Sequence, residues 1–325
     1  SSDPRRSELP ARAPARPRHP APSRPRPARA LAHTVLLADA APALLGVDAF
    51  AELTHLTDLD ALRDDPRLAP LRDVQRQSAA RHLGLCLPRV LLRAPYHARD
   101  DPDLPFRYDE SLRGDGDLLW GHAAPLVALR AIDAFARTGW CVHLLGWHGG
   151  GTPPPAAPSP SPLAWPPLPV PVDLLVSRPL AHALAQHGLT ALVFDRARQR
   201  LALPVAPSLR AAHLAGRALD DHLPCTLLIT RIAHYLRQIQ REQIGLWDDL
   251  GALHRALDAW LRRHSADLPD PHPDTRARRP LRRAGVRLDP ARDGWIRCHI
   301  DVEPHLTHHG APIALSLITR LDRPA

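Results

Sequence analysis

Apolar positions recur with different periods along the chain, and the changes of period divide it. In the first half, short apolar runs alternate with helical patterns. Residues 35–38 predict a short strand, and residues 83–92 a mostly apolar strand broken at Pro88. Residues 119–137 predict a helix with Leu126, Leu129, Ile132 and Phe135 along one side, stopped by Gly139 just past its last turn. Residues 140–145 then read as a buried strand. Farther on, residues 172–176, a short helix over 179–186 ended by Gly188, and residues 189–194 form a strand–helix–strand unit with the look of a parallel crossover.

From residue 221 the pattern turns helical. Asp221 is placed to cap a helix reaching about residue 244, with Pro224 in its first turn and Leu228, Ile232, Tyr235, Leu236 and Ile239 along one side. Asp248 or Asp249 caps a second, with Leu250, Leu253, Leu257, Trp260 and Leu261 as its stripe. The last 45 residues switch to period two. Ile296, Cys298, Ile300 and Val302 alternate with polar neighbours, as do Ile313, Leu315, Leu317 and Leu321, and residues 290–294 supply a turn. These are half-buried antiparallel strands. A small terminal sheet with open edges is marginal by itself and needs more of its own chain or a partner's strand. The fold class is therefore mixed α/β with a helical segment and C-terminal antiparallel strands. Residues 1–32 are expected as a disordered Arg- and Pro-rich arm, 33–205 as an α/β domain carrying a proline-rich loop at 152–171, and 206–325 as helices plus an assembly sheet.

Composition narrows the function. The 325 residues are enough for one large domain or two ordinary ones, and no apolar stretch approaches the length that crosses a bilayer, so no membrane insertion is expected. The net charge is +8, yet eight Arg against Asp3 and Glu8 sit in the first 30 residues. The body is nearly neutral and lacks the footprint of a duplex-binding surface; a nucleic-acid role would have to act through the arm and fall steeply with salt. There is no Lys, Asn or Met. Without Lys, a P-loop, a kinase phosphate-binding lysine and a pyridoxal Schiff base cannot be built. Without Met no translation start is visible, so a fragment, a processed product or an odd start is expected; residues 1–30 hold no signal-peptide apolar core. Cys86, Cys141, Cys225 and Cys298 form no CxxC pair and read as buried free thiols of a reducing compartment.

Candidate chemistry is thin. His305, His308 and His309 are the densest histidine cluster, but they lie beside Pro304 and Gly310 in a turn between strands, without a further rigid ligand. Gly146, Gly149, Gly150 and Gly151 follow an apolar run but lead into consecutive prolines, so no helix N-terminus is available to hold a phosphate. The acidic residues between Asp100 and Asp117 follow no calcium-binding spacing and read as a surface loop. Arg276, Arg278, Arg279, Arg282, Arg283 and Arg287 make the one basic cluster of the body, either a solvated linker or a contact for an acidic protein surface. No catalytic, cofactor-binding or metal-ligating residue is assigned. The histidine count and the crossover leave an α/β hydrolase-like or metal-dependent enzyme as the alternative.

Several stretches together resemble a known family. Leu83-Gly84-Leu85-Cys86-Leu87-Pro88-Arg89-Val90-Leu91-Leu92-Arg93-Ala94-Pro95-Tyr96 is similar to a signature of the large subunit of the type VI secretion contractile sheath. So are Leu119-Trp120-Gly121-His122, Asp133-Ala134-Phe135, Gly139-Trp140-Cys141 with Gly149-Gly150-Gly151, and Thr230-Arg231-Ile232-Ala233-His234-Tyr235-Leu236 followed by Ile244-Gly245. Pro280-Leu281-Arg282 and the strands through Leu315 and Leu321 also fit. The family has a long upstream region, including a strand-adding arm, where this chain has its Arg/Pro stretch, so the chain is expected to be an N-terminally truncated or divergent member. The resemblance implies a cytoplasmic structural protein, not an enzyme, that pairs with a small sheath subunit and with copies of itself. It polymerises around an inner tube on a baseplate, and a AAA+ unfoldase recycles it. The strands of residues 296–302 and 313–321 are expected to accept partner strands, and a helix over residues 249–263, with Asp249, Arg255, Asp258 and Arg262, to face the inner tube.

Overall fold

The computed structural model describes residues 34–54, 65–96, 108–110, 117–147, 151–155, 170–212, 221–242, 250–290, 296–308, 311–312 and 314–321. The expected arm and nearly all of the acidic and proline-rich loops lie outside them.

The N-terminal part is built on a parallel three-stranded sheet in which β2 (Leu83–Leu87) lies between β1 (Leu36–Asp39) and a later strand, Leu189–Ala191. All five residues of β2 are buried. Both faces of a parallel sheet are covered, so such a strand reads as a continuous apolar run without alternation. Leu83, Leu85 and Leu87 face a cluster with Phe50, Leu53, Leu184 and Leu209, whereas Cys86 joins Val90, Ala123, Val127, Leu144 and Phe194 on the other side. Between β2 and Leu189–Ala191 come a helix, short strands and a second helix. Helix α1 (Ala69–Gln75) precedes β2, and β3 (Val90–Leu91) pairs antiparallel with β4 (Trp120–Gly121). Helix α2 (Ala123–Thr138) starts with its Ala124 amide donating to Asp39 Oδ1 at 2.9 Å, which ties it to the end of β1. It ends at Gly139, whose φ of 78° is the left-handed conformation that glycine adopts without a Cβ clash.

Three expectations fail in this part. The helix starts four residues later than its pattern suggested, and its buried side is Ala123, Ala124, Leu126, Val127, Arg130 and Ala134, leaving Leu129 55% and Ile132 62% exposed. With apolar residues nearly all around, the periodicity did not specify which side would meet the sheet. Residues 140–145 form a single 3-10 turn (Val142–Leu144) and not a strand, because Gly139 reverses the chain and Trp140 enters a different core. Residues 172–176 are irregular, with Val172, Leu174 and Val176 buried and Leu175 exposed. Asp173 accepts hydrogen bonds from the Arg89 amide (2.8 Å) and Nε (2.6 Å), which spends the local polar groups on a clamp where a ladder was expected. The crossover's helix does form as α3 (Arg178–Gln186), capped by Ser177 Oγ at 3.3 Å, and it leads through Gly188 into β5 (Leu189–Ala191), which is followed by the hairpin of β6 (Val193–Asp195) and β7 (Arg200–Ala202).

The C-terminal part is two-layered. Helices α4 (Leu223–Glu242) and α5 (Leu250–Arg263), followed by the short α6 (Pro273–Arg278), pack on one face of an antiparallel sheet made by β8 (Leu281–Pro290), β9 (Ile296–Pro304) and, after the small hairpin of β10 (Thr307–His308) and β11 (Ala311–Pro312), β12 (Leu315–Leu321). The stripes of α4 and α5 supply Leu228, Ile232, Leu236, Leu253, Leu257 and Leu261 to this core. Asp221, at the entry to α4, is buried and faces Arg81 at 3.3 Å and Arg210 at 3.6 Å. Trp140, only 3% exposed, crosses from the first part into this second core. Its ring lies 6.1 Å from Tyr235 and 5.2 Å from His264, and both of these touch Trp260.

Candidate assembly surface

Strand order decides what the C-terminal sheet can offer. The sequence β12-β9-β8 puts β9 in the middle. Ile296, Cys298, Ile300 and Val302 each face a partner on both sides, for example Ile300 between Val286 and Leu317. A strand paired on both edges has no main-chain groups left for a third. The expectation that residues 296–302 accept a partner strand is corrected accordingly. These four side chains are buried against α4 and α5, where fully burying such an apolar group stabilises the fold by about 1.5–3 kcal/mol. Of the second expected strand, Leu315 is buried in the same core, and Leu317 and Leu321 follow in register opposite Ile300 and Ile296. Ile313 lies outside the described residues. The outer strands are β8 and β12.

The face of the sheet away from the helices is charged and self-paired. Arg287 meets Asp301 at 3.2 Å and Arg282 meets Glu303 at 3.2 Å, while His299 lies 3.5 Å from Asp289. Three arginines of the expected linker thus belong to β8, and Arg283 lies 3.6 Å from Asp267. Arg276 and Arg278 belong to α6, where Arg276 pairs with Asp270. The basic strip is therefore largely neutralised by its own chain. Ile318, 63% exposed, is the exception on this face. Its signal was present in the sequence, an isoleucine in the polar phase of a period-two strand.

On α5, Asp258 and Arg262 pair at 2.7 Å one turn apart, with Arg262 and Arg255 exposed. Arg255 and Arg262 lie away from the buried Leu253, Leu257 and Leu261, and Asp258 flanks that stripe, partly buried. Asp249 lies outside the described residues. A surface pair of this kind contributes only about 0.3–0.5 kcal/mol.

Among the described residues the titratable groups show no catalytic arrangement. His305 Nε2 bonds the Ala266 carbonyl oxygen at 2.9 Å, and burial holds its pKa below the usual histidine range. His308 falls in β10, and His309 lies outside the described residues. Among the described residues no group of three or more His, Cys, Asp or Glu is placed to hold a metal ion. Burial raises the thiol pKa of Cys86 far above its ordinary value and pushes Cys298 up to about 12. Both are inert thiols rather than nucleophiles. Sequence reasoning missed the inter-core role of Trp140 and the stacking of Arg231, whose guanidinium sits 4.6 Å from the Phe135 ring and 4.4 Å from Tyr235. Among the described residues no helix is long and apolar enough to cross a membrane.

Comparison with known proteins follows the same division into two cores. Residues 27–210 match the family model described as EvpB/VC_A0108, tail sheath N-terminal domain, and residues 212–321 match the EvpB/VC_A0108, tail sheath gpW/gp25-like domain. The chain is similar to the type VI secretion system sheath protein TssC1 of Pseudomonas aeruginosa, 26% identical over 303 residues, covering 89% of this chain and 61% of that protein. It thus spans about three fifths of the length of the curated relative it matches. Neither finding lends support to an enzyme. With the two sheath domain models matching in order across nearly all of the described structure, the chain belongs to the EvpB/VC_A0108 tail sheath family.

Proposed function

We propose that this chain is a structural subunit of a type VI secretion contractile sheath, working through interfaces and not through catalysis. It pairs with a small sheath subunit and with copies of itself in the cytoplasm, and the polymer encloses an inner tube. The exposed side of α5, with Arg255, Asp258 and Arg262, is our candidate for the face toward that tube; Asp249 precedes it in sequence. Baseplate attachment and recycling by a AAA+ unfoldase follow from the same reading.

The observation that carries the proposal is the C-terminal sheet of three strands, with one face buried under α4 and α5, a paired central strand and two outer strands. A sheet with an available edge is the element through which chains interlock by strand addition. Co-expression with the adjacent small-subunit gene, followed by electron microscopy, tests it. Tubes containing both chains are expected; a soluble monomer with no co-purifying partner overturns the reading.

A further inference from the structure

Where the two cores meet, the chain forms a cavity of about 340 Å³. Cavities that take small molecules begin at about 300 Å³. Its walls come from three places in the sequence. Leu227, Thr230, Arg231 and His234 stand at i, i+3, i+4 and i+7 along one side of α4, next to the stripe that Leu228, Ile232 and Leu236 bury in the C-terminal core. Phe135 of α2 and, past the turn at Gly139, Trp140 and Cys141 make the second wall; Thr34 and Val35, just before β1, make the third. The turn is pinned to its helix. The Thr138 hydroxyl lies 3.0 Å from the Ala134 oxygen and 2.9 Å from the Trp140 oxygen, and the Cys141 thiol lies 3.6 Å from the Ala131 oxygen. Three of the stretches that carry the family resemblance thus converge on one cavity: Asp133-Ala134-Phe135, Gly139-Trp140-Cys141 and the run from Thr230 to Leu236.

Arg231 gives this cavity its fixed charge. Its guanidinium lies against the Phe135 and Tyr235 rings, and its Nη2 donates to the Tyr235 hydroxyl at 2.9 Å. The Nε–H is buried and meets no acceptor, and among the described residues no carboxylate pairs with this side chain. Arg81, Arg89, Arg93 and Arg282 each face one. Ring faces attract a cation but leave its net charge in place, and a cation withdrawn from water ordinarily has an anion beside it. The Cys141 thiol does not supply that anion. Burial raises its pKa from an already alkaline value, with the Arg231 charge pulling the other way, so it stays neutral at pH 7.

We propose that this cavity is a binding site for a small aromatic monocarboxylate, held by Arg231. The guanidinium fork matches a carboxylate in two parallel hydrogen bonds. One arginine among apolar walls balances one negative charge, which disfavours a phosphate dianion. Phe135, Trp140, Val35 and Leu227 offer the ligand's ring edge-to-face and apolar contacts. Because α2 and its turn belong to the first part of the chain and α4 to the second core, the occupant bridges the two and stiffens their joint. The site is separate from the C-terminal sheet and needs no assembled polymer.

Titration calorimetry of the full chain with 2-naphthoate, and with neutral 2-naphthamide as the comparison, tests the charge requirement. One naphthoate should bind per chain, and the amide should bind about tenfold or more weakly, as loss of a charged hydrogen-bonded pair requires. Arg231→Gln should weaken naphthoate by a similar factor. Thr34→Trp keeps the arginine and fills the cavity, so it too should abolish binding, which keeps the test open if Arg231→Gln does not fold. At a hundredfold excess over its Kd, naphthoate should raise Tm by about 5 °C. Cys141 is half-buried while Cys86, Cys225 and Cys298 are buried, so iodoacetamide should label Cys141 first and naphthoate should slow that labelling about tenfold. No binding, equal binding of acid and amide, binding that survives Arg231→Gln or Thr34→Trp, or unchanged labelling of Cys141 overturns the proposal. Protection of Cys141 by a co-expressed small subunit but not by naphthoate also overturns it, and would give the Arg231 site to a protein side chain.

Discussion

Replacing Trp140 with alanine should loosen the joint between the two cores more than any other single truncation in the loop after α2. The ring is buried among Tyr235, His264 and the C-terminal core, although it belongs in sequence to the first part. Truncating a fully buried tryptophan removes its transfer free energy and leaves a cavity, a loss of about 3–5 kcal/mol. The Thr138 hydroxyl, 2.9 Å from the Trp140 carbonyl oxygen, holds the backbone in place, so collapse into the void is limited. At ~2 °C per kcal/mol for a chain of this size, the midpoint should fall by roughly 6–10 °C if the chain unfolds as one unit. Scanning calorimetry with near-ultraviolet circular dichroism measures it. Trp140→Phe, which keeps an aromatic contact with Tyr235 and His264, should recover more than half of the loss. A midpoint within about 2 °C of the unmutated chain for Trp140→Ala would refute the claim that this side chain couples the two cores.

Further expectations concern buried charge, backbone strain, protonation and thiol access. Asp221→Ala removes the buried carboxylate that Arg81 and Arg210 face; because both arginines keep partial contact with water, no buried charge is stranded, and the loss by urea denaturation should be about 1.5–3 kcal/mol. Gly188 has a φ of 78°, and a Cβ there would meet the Leu209 oxygen at 2.7 Å; Gly139 has the same φ with nothing within 4 Å. Gly139→Ala should therefore cost only about 1 kcal/mol of conformational strain and Gly188→Ala clearly more, compared by the same denaturation. His264 is held below the usual histidine range by burial, with Arg263 and Arg279 adding like-charge repulsion. A depressed histidine is protonated first in the unfolded chain, so its effect is nil above about pH 6.5 and stability falls as the pH drops from there toward the folded value. His264→Gln should flatten the pH dependence of Tm over that interval. Cys86 and Cys298 should resist a thiol reagent at pH 8 in the native protein and react at once in denaturant.

Much of the C-terminal fold is legible without coordinates because its patterns are pure. Ile296, Cys298, Ile300 and Val302 alternate strictly with polar residues, and each is buried as that alternation requires. The stop at Gly139 is equally local, since a glycine after a helical run satisfies the left-handed cap by its own geometry. Leu253, Leu257 and Leu261 mark the buried side of α5 because the rest of that helix is polar. The family signature likewise lies in short contiguous runs that need no fold to be read.

What the sequence left open are questions of which neighbour arrives. A strand's alternation says that one face is buried, but not whether its edges are occupied, and only the order β12-β9-β8 shows that residues 296–302 are central and unavailable. The apolar girdle of α2 permitted several buried faces, and contact with β1 and β2 selected the one that buries Arg130 and exposes Ile132. Residues 140–145 have the composition of a strand but no strand beside them, and Trp140 is drawn instead into a core assembled mostly from residues beyond 225. His254 on Val286 joins positions 32 residues apart. Period and capping are properties of neighbouring residues and are written along the chain; edges, faces and plugs are fixed by long-range packing, which no local pattern encodes.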